Sequence, residues 1–353
     1  MVGRYGLHAN PRLLNVIDEA KSTDKDPPWI APQAQSLLRQ RGHAWLLQGP
    51  SGLGQYKLGL AMVSAWLCES ALGEEACGAC ESCHAIDVRT HADLMVLMPE
   101  QHMLRLEWPL SEKAQSEIDD KKRKVSKEIR VDALRDAIEF AQRTSSRGRA
   151  KAVLVFPAEQ MNSIAANTLL KTLEEPPGNV KFVLATESAH ELLPTIRSRC
   201  IGHSMRWPSH SEAVTWLQAQ DVDFALAVQA LKTAGGRPDD ALDFLQSGRD
   251  IAVWSNLRSI LSQGQTGSFK DWSIPQVLDA MLKLCHDLMA AEVQGSPRYF
   301  SDSLLGKPVP ITALTEWHRQ LVRSLRSAEH PFNSGLMLEA LVTQAKNTLN
   351  CVH

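Results

Sequence analysis

The chain has 353 residues, of which 44% are hydrophobic and 22% charged, with a formal net charge of −2. That is the make-up of an ordinary soluble protein of roughly two or three domains, with no global electrostatic argument for nucleic acid or membrane. The longest apolar runs fall far short of the ~18–20 residues that span a bilayer, and the first residues lack a secretion-signal pattern, so a cytoplasmic protein is expected.

In chain order, residues 1–26 read as an extension outside the main fold. Pro11 to Ala20 could form a short helix, and Lys21-Ser22-Thr23-Asp24-Lys25-Asp26-Pro27-Pro28 is a polar linker closed by two prolines. From Trp29 onward helix and strand signals alternate. A helix is predicted at 32–40, a strand at 44–48, a helix at 55–70 and a strand at 93–98. The polar stretch 100–128 reads as a solvated loop. Its basic tetrad Lys121-Lys122-Arg123-Lys124 sits beside Asp119 and Asp120; contact with nucleic acid is the alternative. A helix follows at 129–142, then strands at 152–156 and 180–185 around a helix at 163–173. Such alternation predicts an α/β core, a mostly parallel sheet covered by helices on both faces.

Beyond Pro208 the strand signals fade. Short helices are predicted at 211–218, 224–234 (stopped by Gly235-Gly236) and 239–245. The last hundred residues are helical. Val277, Met281, Leu284 and Leu288 form one stripe, Leu314, Trp317, Leu321 and Leu325 another, and 336–349 a final amphipathic helix. These stripes predict the core faces of a bundle or a subunit contact. The implied domains are the 1–26 extension, an α/β domain at 27–207, a small helical domain at 208–249 and an all-α domain at 250–353.

Chemistry enters first at Gly49-Pro50-Ser51-Gly52-Leu53-Gly54-Gln55-Tyr56. An apolar strand, a Gly-rich loop and a helix are the order a phosphate-binding loop needs, because backbone N–H groups and the helix N-terminus then face phosphate. Gly49, Gly52 and Gly54 are the candidate cradling positions. A working loop follows its last Gly with Lys for the β/γ-phosphates and Ser or Thr for Mg²⁺. Here Gln55 and Tyr56 occupy those places. A matching loss follows Ala152-Val153-Leu154-Val155, where Phe156 and Pro157 stand in place of an acidic pair. Lys57 lies one residue beyond the missing Ser or Thr and Glu159 comes two residues late, shifts that re-aim a side chain. A plain strand-to-helix turn is the competing reading of the loop.

Cys68, Cys77, Cys80 and Cys83 form a C-x8-C-x2-C-x2-C cluster. The spacing brings three thiolates together on a short turn, with Cys68 closing a tetrahedron as in a structural Zn²⁺ site. Disulfides compete, although they are rare in a reducing compartment. His84 and His91 are read as spectators beside a complete sulfur shell. Cys200, Cys285 and Cys351 are isolated, read as small buried or surface residues.

Three further segments carry a resemblance. Ala166-Asn167-Thr168-Leu169-Leu170-Lys171-Thr172-Leu173-Glu174-Glu175-Pro176-Pro177 is followed by Phe182-Val183-Leu184-Ala185-Thr186 and then by Leu193-Pro194-Thr195-Ile196-Arg197-Ser198-Arg199-Cys200. In order and wording these resemble clamp-loader subunits of the AAA+ family, clearly over 29–207 and by architecture beyond it. The cysteine cluster resembles the zinc module of the bacterial members. Motor subunits of that family keep Lys-Thr in the loop and Asp-Glu on the strand, and carry a second arginine in an R-D-A-L context. Here Asp239 stands at that arginine's place, with Arg237 two residues early. The chain is therefore similar to the family member in which both nucleotide motifs have decayed.

The resemblance implies an AAA+ core with an inserted zinc knuckle, a helical lid and a C-terminal collar. It implies a non-hydrolysing subunit of a ring with gamma/tau and delta partners, which loads the sliding clamp on primed DNA. It makes Arg199 an arginine finger acting in trans on a neighbour's ATP. Such a finger is worth on the order of 10³–10⁵ in rate. Without the resemblance, Arg199 reads as an intramolecular salt bridge to Glu174 or Glu175. Two other classes stay open: an ATPase with an unorthodox site built on Lys57 and Glu159, and a zinc-stabilised DNA-binding module using Lys121–Lys124.

Overall fold

In the computed structural model, which describes residues 26–71, 73–328 and 333–351, strands and helices alternate up to Pro208 and helices alone follow. The elements before Pro208 are α1 (Ile30–Leu38), β1 (Ala44–Gln48), α2 (Gln55–Leu67), α3 (Glu81–Asp87), β2 (Leu94–Leu97), α4 (Glu100–Arg105), α5 (Glu112–Asp119), α6 (Val131–Gln142), β3 (Lys151–Val155), α7 (Ser163–Glu174), β4 (Val180–Thr186), α8 (Pro194–Arg197) and β5 (Ile201–Ser204). The helix predicted at 11–20, and all of the 1–26 extension except Asp26, lie outside the described residues.

The five strands form one sheet in the order β2-β3-β4-β1-β5, every pair parallel. Parallel neighbours cannot be joined by a hairpin, so each return passes through a crossover that packs on a face. One face places Leu46, Val153, Phe182 and Leu184 in a buried cluster with Leu134 of α6 and Leu169 of α7. The other carries α2 so closely that a Cβ on Gly59 would lie 2.7 Å from Leu154 and 3.3 Å from Val183. β3 and most of β4 are buried on both sides, which is why 152–155 and 182–185 read as continuous apolar runs.

Two stretches differ from the sequence reading. No strand was predicted at 201–204, yet β5 pairs with β1 from Trp45↔Ile201 to Gln48↔Ser204. It is a short edge strand with half-exposed and exposed residues alternating, so it lacks an apolar run. Second, 100–128 is not simply a solvated loop. It holds α4 and α5, and Arg123 is drawn inward onto Glu100 and Glu117.

From Ser209 the chain forms a second compact unit, which takes in both the expected lid and the expected collar. Its helices are α9 (His210–Ala219), α10 (Phe224–Thr233), α11 (Pro238–Gln246), α12 (Ile251–Ser255), α13 (Leu257–Gln263), α14 (Ile274–Glu292), α15 (Asp302–Leu305), α16 (Ile311–Ser327) and α17 (Ser334–Leu349). Ser209 and Glu212 close α9 with a reciprocal capping box. Met281, Leu284 and Leu288 of α14 share one core with Leu314, Trp317 and Leu321 of α16. Phe244 of α11 belongs to the same core, edge-on to Trp254 at 5.6 Å. Leu325 does not; it is 45% exposed, so the α16 stripe ends one step earlier than its spacing suggested. No helix among the described residues is long and apolar enough to cross a membrane.

Candidate functional site

The Gly-rich loop leaves the C-terminal end of β1, the edge where open α/β sheets bind ligands. Gly52 and Gly54 take φ of 77° and 90°, conformations that cost a side chain dearly. At Gly49 a Cβ would stand 2.9 Å from Met205. The indole Nε1 of Trp29 donates to the Leu53 carbonyl at 2.9 Å and pins the loop from outside. All three candidate glycines therefore shape the turn.

Inside the loop the two replaced residues are fully occupied. Gln55, 2% exposed, turns its side-chain amide back to donate to the carbonyls of Gly49 (2.8 Å) and Pro50 (2.7 Å). A charged ammonium would stand here in a working loop; a neutral amide instead ties the two ends of the turn together. Tyr56 accepts a hydrogen bond from Trp108 Nε1 at 2.7 Å, and its ring lies 5.6 Å from Phe156. Burial pushes the Tyr56 phenol above its ordinary pKa, so it stays protonated. His102 meets Phe156 edge-on at 6.2 Å, and burial holds its imidazole below the usual range. Tyr56 and Phe156, at the sequence positions of the lost hydroxyl and acid, thus pack against each other and against Trp108 and His102.

Glu159 is also committed. Its carboxylate accepts from Thr186 Oγ1 at 2.7 Å and from the Glu187 amide at 3.0 Å, so it secures the end of β4. Lys57 is half-buried on α2. Arg237 donates through Nε to the Ala234 carbonyl at 2.8 Å and pairs with Asp240 at 2.9 Å, within its own helical unit.

The four clustered cysteines converge. Their sulfurs all lie within 4.8 Å of one another, with Cys68–Cys80 at 3.8 Å and Cys77–Cys83 at 4.0 Å. Four sulfurs at about 2.3 Å from a tetrahedral zinc stand about 3.8 Å apart, so the donor set fits such an ion. α2 stops at Cys68, which caps it in an extended conformation, earlier than the predicted helix end at 70. Cys80 caps α3 and accepts from the Cys83 amide at 3.5 Å. That amide chiefly brings Cys80 down to about 6, while those of Ala79 and Cys80 lower Cys77. Burial pushes Cys83 up to about 12. Backbone N–H groups aimed at sulfur favour the thiolates that ligation needs.

His84 is exposed, whereas His91 is buried and works beside the cluster rather than in it. Its Nδ1 accepts from the Asp93 amide at 3.0 Å, which leaves Nε2–H to face Ser82 Oγ at 3.1 Å. Ser82 in turn donates to Glu69 at 2.9 Å. Asp93 accepts from Ser145 and from the amides of Ser146 and Arg147, and Arg147 pairs with Glu69. This ring of polar contacts joins the cysteine module to β2 and to the turn before β3. No spacing rule announces it, because its members lie up to 78 positions apart.

Arg199 lies beyond α8 and just before β5, at the N-terminal edge of the sheet. The Gly-rich loop lies at the opposite edge, separated by the five residues of β1, a rise of roughly 16 Å. Its Nε donates to Glu174 Oε1 at 2.6 Å and its Nη1 to the Thr195 carbonyl at 2.7 Å. The intramolecular pair anticipated with Glu174 or Glu175 thus forms with Glu174. Both partners remain accessible, at 31% and 47% of side-chain area. Arg197 is exposed. Burial pushes the Cys200 thiol up to about 12, which makes it inert. In the basic tetrad, Arg123 is consumed by glutamates and Lys122 pairs with Asp120.

Comparison with known proteins bears on this arrangement. A family model described as "DNA polymerase III, delta subunit" matches residues 33–207. The chain is 35% identical over 277 residues to DNA polymerase III subunit delta' of Escherichia coli strain K12, covering 72% of this chain and 75% of that one. It is 29% identical over 343 residues to subunit delta' of Pseudomonas aeruginosa, covering 89% and 97%. To DNA polymerase III subunit tau of Escherichia coli it is 31% identical over 159 residues, 45% of this chain and 21% of that one.

Proposed function

The chain belongs to the family of DNA polymerase III delta' subunits, and from that premise we propose that it is the non-hydrolysing member of a clamp loader that completes a neighbour's ATP site in trans. The ring would contain gamma/tau and delta subunits, place the sliding clamp on primed DNA, and be held together by the C-terminal helices. The observation that carries this reading is the placement of Arg199. It stands at the edge of the sheet opposite its own loop, about 16 Å of strand away. An arginine there cannot serve the nucleotide site of its own chain. It can serve one presented by an adjacent subunit, where its planar, permanently charged fork suits the γ-phosphate oxygens.

The loop supports the same reading. Gln55 spans it, Tyr56 and Phe156 pack against each other, and Glu159 holds β4. Gln55 and Glu159, near the places of the lost lysine and acid, are bonded to the protein itself. Reconstituted complex carrying Arg199→Ala should assemble normally and lose clamp- and DNA-stimulated hydrolysis at the site it serves, towards the ~10³-fold of an arginine finger. Hydrolysis equal to that of the unaltered complex would remove the trans role.

The same reading gives the four cysteines a structural Zn²⁺, which would cross-link the end of α2 to α3 and open no position for water. Metal analysis of the purified chain should find one zinc per molecule. Stripping it should lower the thermal midpoint, since a structural metal's binding energy is folding energy. A chain that purifies without zinc and keeps its midpoint would end this assignment.

A further inference from the structure

The segment 99–128, which holds α4 and α5, lies beside β2. α5 buries none of its residues, and an open cleft of about 460 Å³ beside it is lined by Met95, Met103 and Leu110 together with Glu117, Arg123 and Asp136. Two sets of contacts order the segment: one closes it on itself, the other fastens it to its surroundings. At the neck, Arg123 grips both oxygens of Glu100 at 2.6 and 2.7 Å and Glu117 at 2.7 Å, while the Ser126 amide donates to Glu100 at 2.8 Å. Further along, Trp108, 7% exposed, is clamped between the Tyr56 hydroxyl at 2.7 Å and the Arg89 guanidinium, 4.9 Å from its ring.

The second set uses the residues that replaced nucleotide chemistry. We propose that the decayed loop has become a socket: Tyr56, backed by Phe156, holds Trp108 and so straps 99–128 across the open edge of β2. β2 ends the sheet. In a parallel pair alternate residues face the neighbour; Asp93 and Leu97 bond β3 through their carbonyls, so Val96 turns its N–H and C=O outward. An uncovered edge of this kind invites pairing with other chains. The tyrosine is therefore no neutral remnant. Restoring Thr at position 56 costs the strap its anchor, and this follows whether or not Arg199 acts on a neighbour.

Hydrogen exchange read by mass spectrometry on the full chain tests the socket. Tyr56→Thr should speed exchange of amides 109–126 about tenfold, as expected when a local opening loses a restraint on the closed state, while 44–48 and 180–186 keep their protection. Tyr56→Phe and Trp108→Phe, which keep a ring and lose the hydrogen bond, should speed the same amides by less. Unchanged exchange at 109–126 in all three variants overturns the proposal. So does an equal rise in β1 and β4, which would make Tyr56 a general core residue. Should Tyr56→Thr fail to fold, the two phenylalanine variants decide by the same criterion.

Discussion

Arg123 and Arg199 both grip glutamate, yet they are held in opposite ways. Arg123 engages three carboxylate oxygens on two residues and is 20% exposed, against Glu100 at 10%. Its guanidinium is pushed above its ordinary pKa by Glu100 first and Glu117 second. Arg199 meets a single oxygen of Glu174, and that glutamate is 47% exposed. Exposed pairs of the second kind contribute about 0–1 kcal/mol, because water competes for both partners. The difference separates an arginine built into the fold from one that can leave its partner at little cost. Only the second kind is suited to another molecule's phosphate.

The sharpest way to break this contrast is Arg199→Lys. It keeps the charge and loses the fork, so stimulated hydrolysis of the complex should fall at least about tenfold, while thermal unfolding of the isolated chain stays put. A complex that tolerates lysine would make Arg199 a mere surface charge.

Acid should act on the other cluster. Burial alone would raise the Glu100 carboxyl, but Arg123 and the Ser126 amide outweigh it and hold it below 4.5. Glu117 is lowered too, chiefly by Arg123. A carboxyl depressed in the folded state stabilises it above the unfolded pKa and loses that contribution as pH falls through the folded value. Protection of 109–126, corrected for intrinsic exchange rates, should therefore weaken from about pH 4.5 downward. Glu100→Gln should already be loose at neutral pH and lose most of that dependence. A clasp indifferent to acid would mean that Arg123 contributes nothing to holding the segment.

The smallest effect is expected at Glu174→Gln. Surface substitutions of this sort usually change stability by no more than about 0.5 kcal/mol, and calorimetry of the isolated chain should find no more. A larger loss would show Arg199 to be fastened, weakening the contrast from the other side.

Much of the fold could be read from the residues because it is written locally. The runs at 44–47, 152–156 and 182–185 are apolar throughout because both faces of an inner parallel strand are covered. β5 escaped notice for the converse reason: an edge strand with Gly202 and Ser204 exposed carries no such run. Segment 100–128 reads as a solvated loop because its polarity is real, yet it carries one tryptophan, Trp108. That tryptophan was the available signal, since an indole in a polar stretch needs an apolar seat. The 163–173 helix and the four-cysteine spacing were legible because each is decided within a few turns of chain.

The sequence by itself established an α/β domain followed by helices, a phosphate loop without its lysine and hydroxyl, and four thiols spaced for one metal. Those features depend on periodicity, residue type and short separations, which survive without knowledge of the fold. Only the tertiary structure decided that Gln55 spans its own loop, that Trp108 seats against Tyr56 from 52 positions away, and that Arg199 stands at the far edge of the sheet. Contacts between distant residues are selected by packing and strand order, and no local pattern of side chains encodes them.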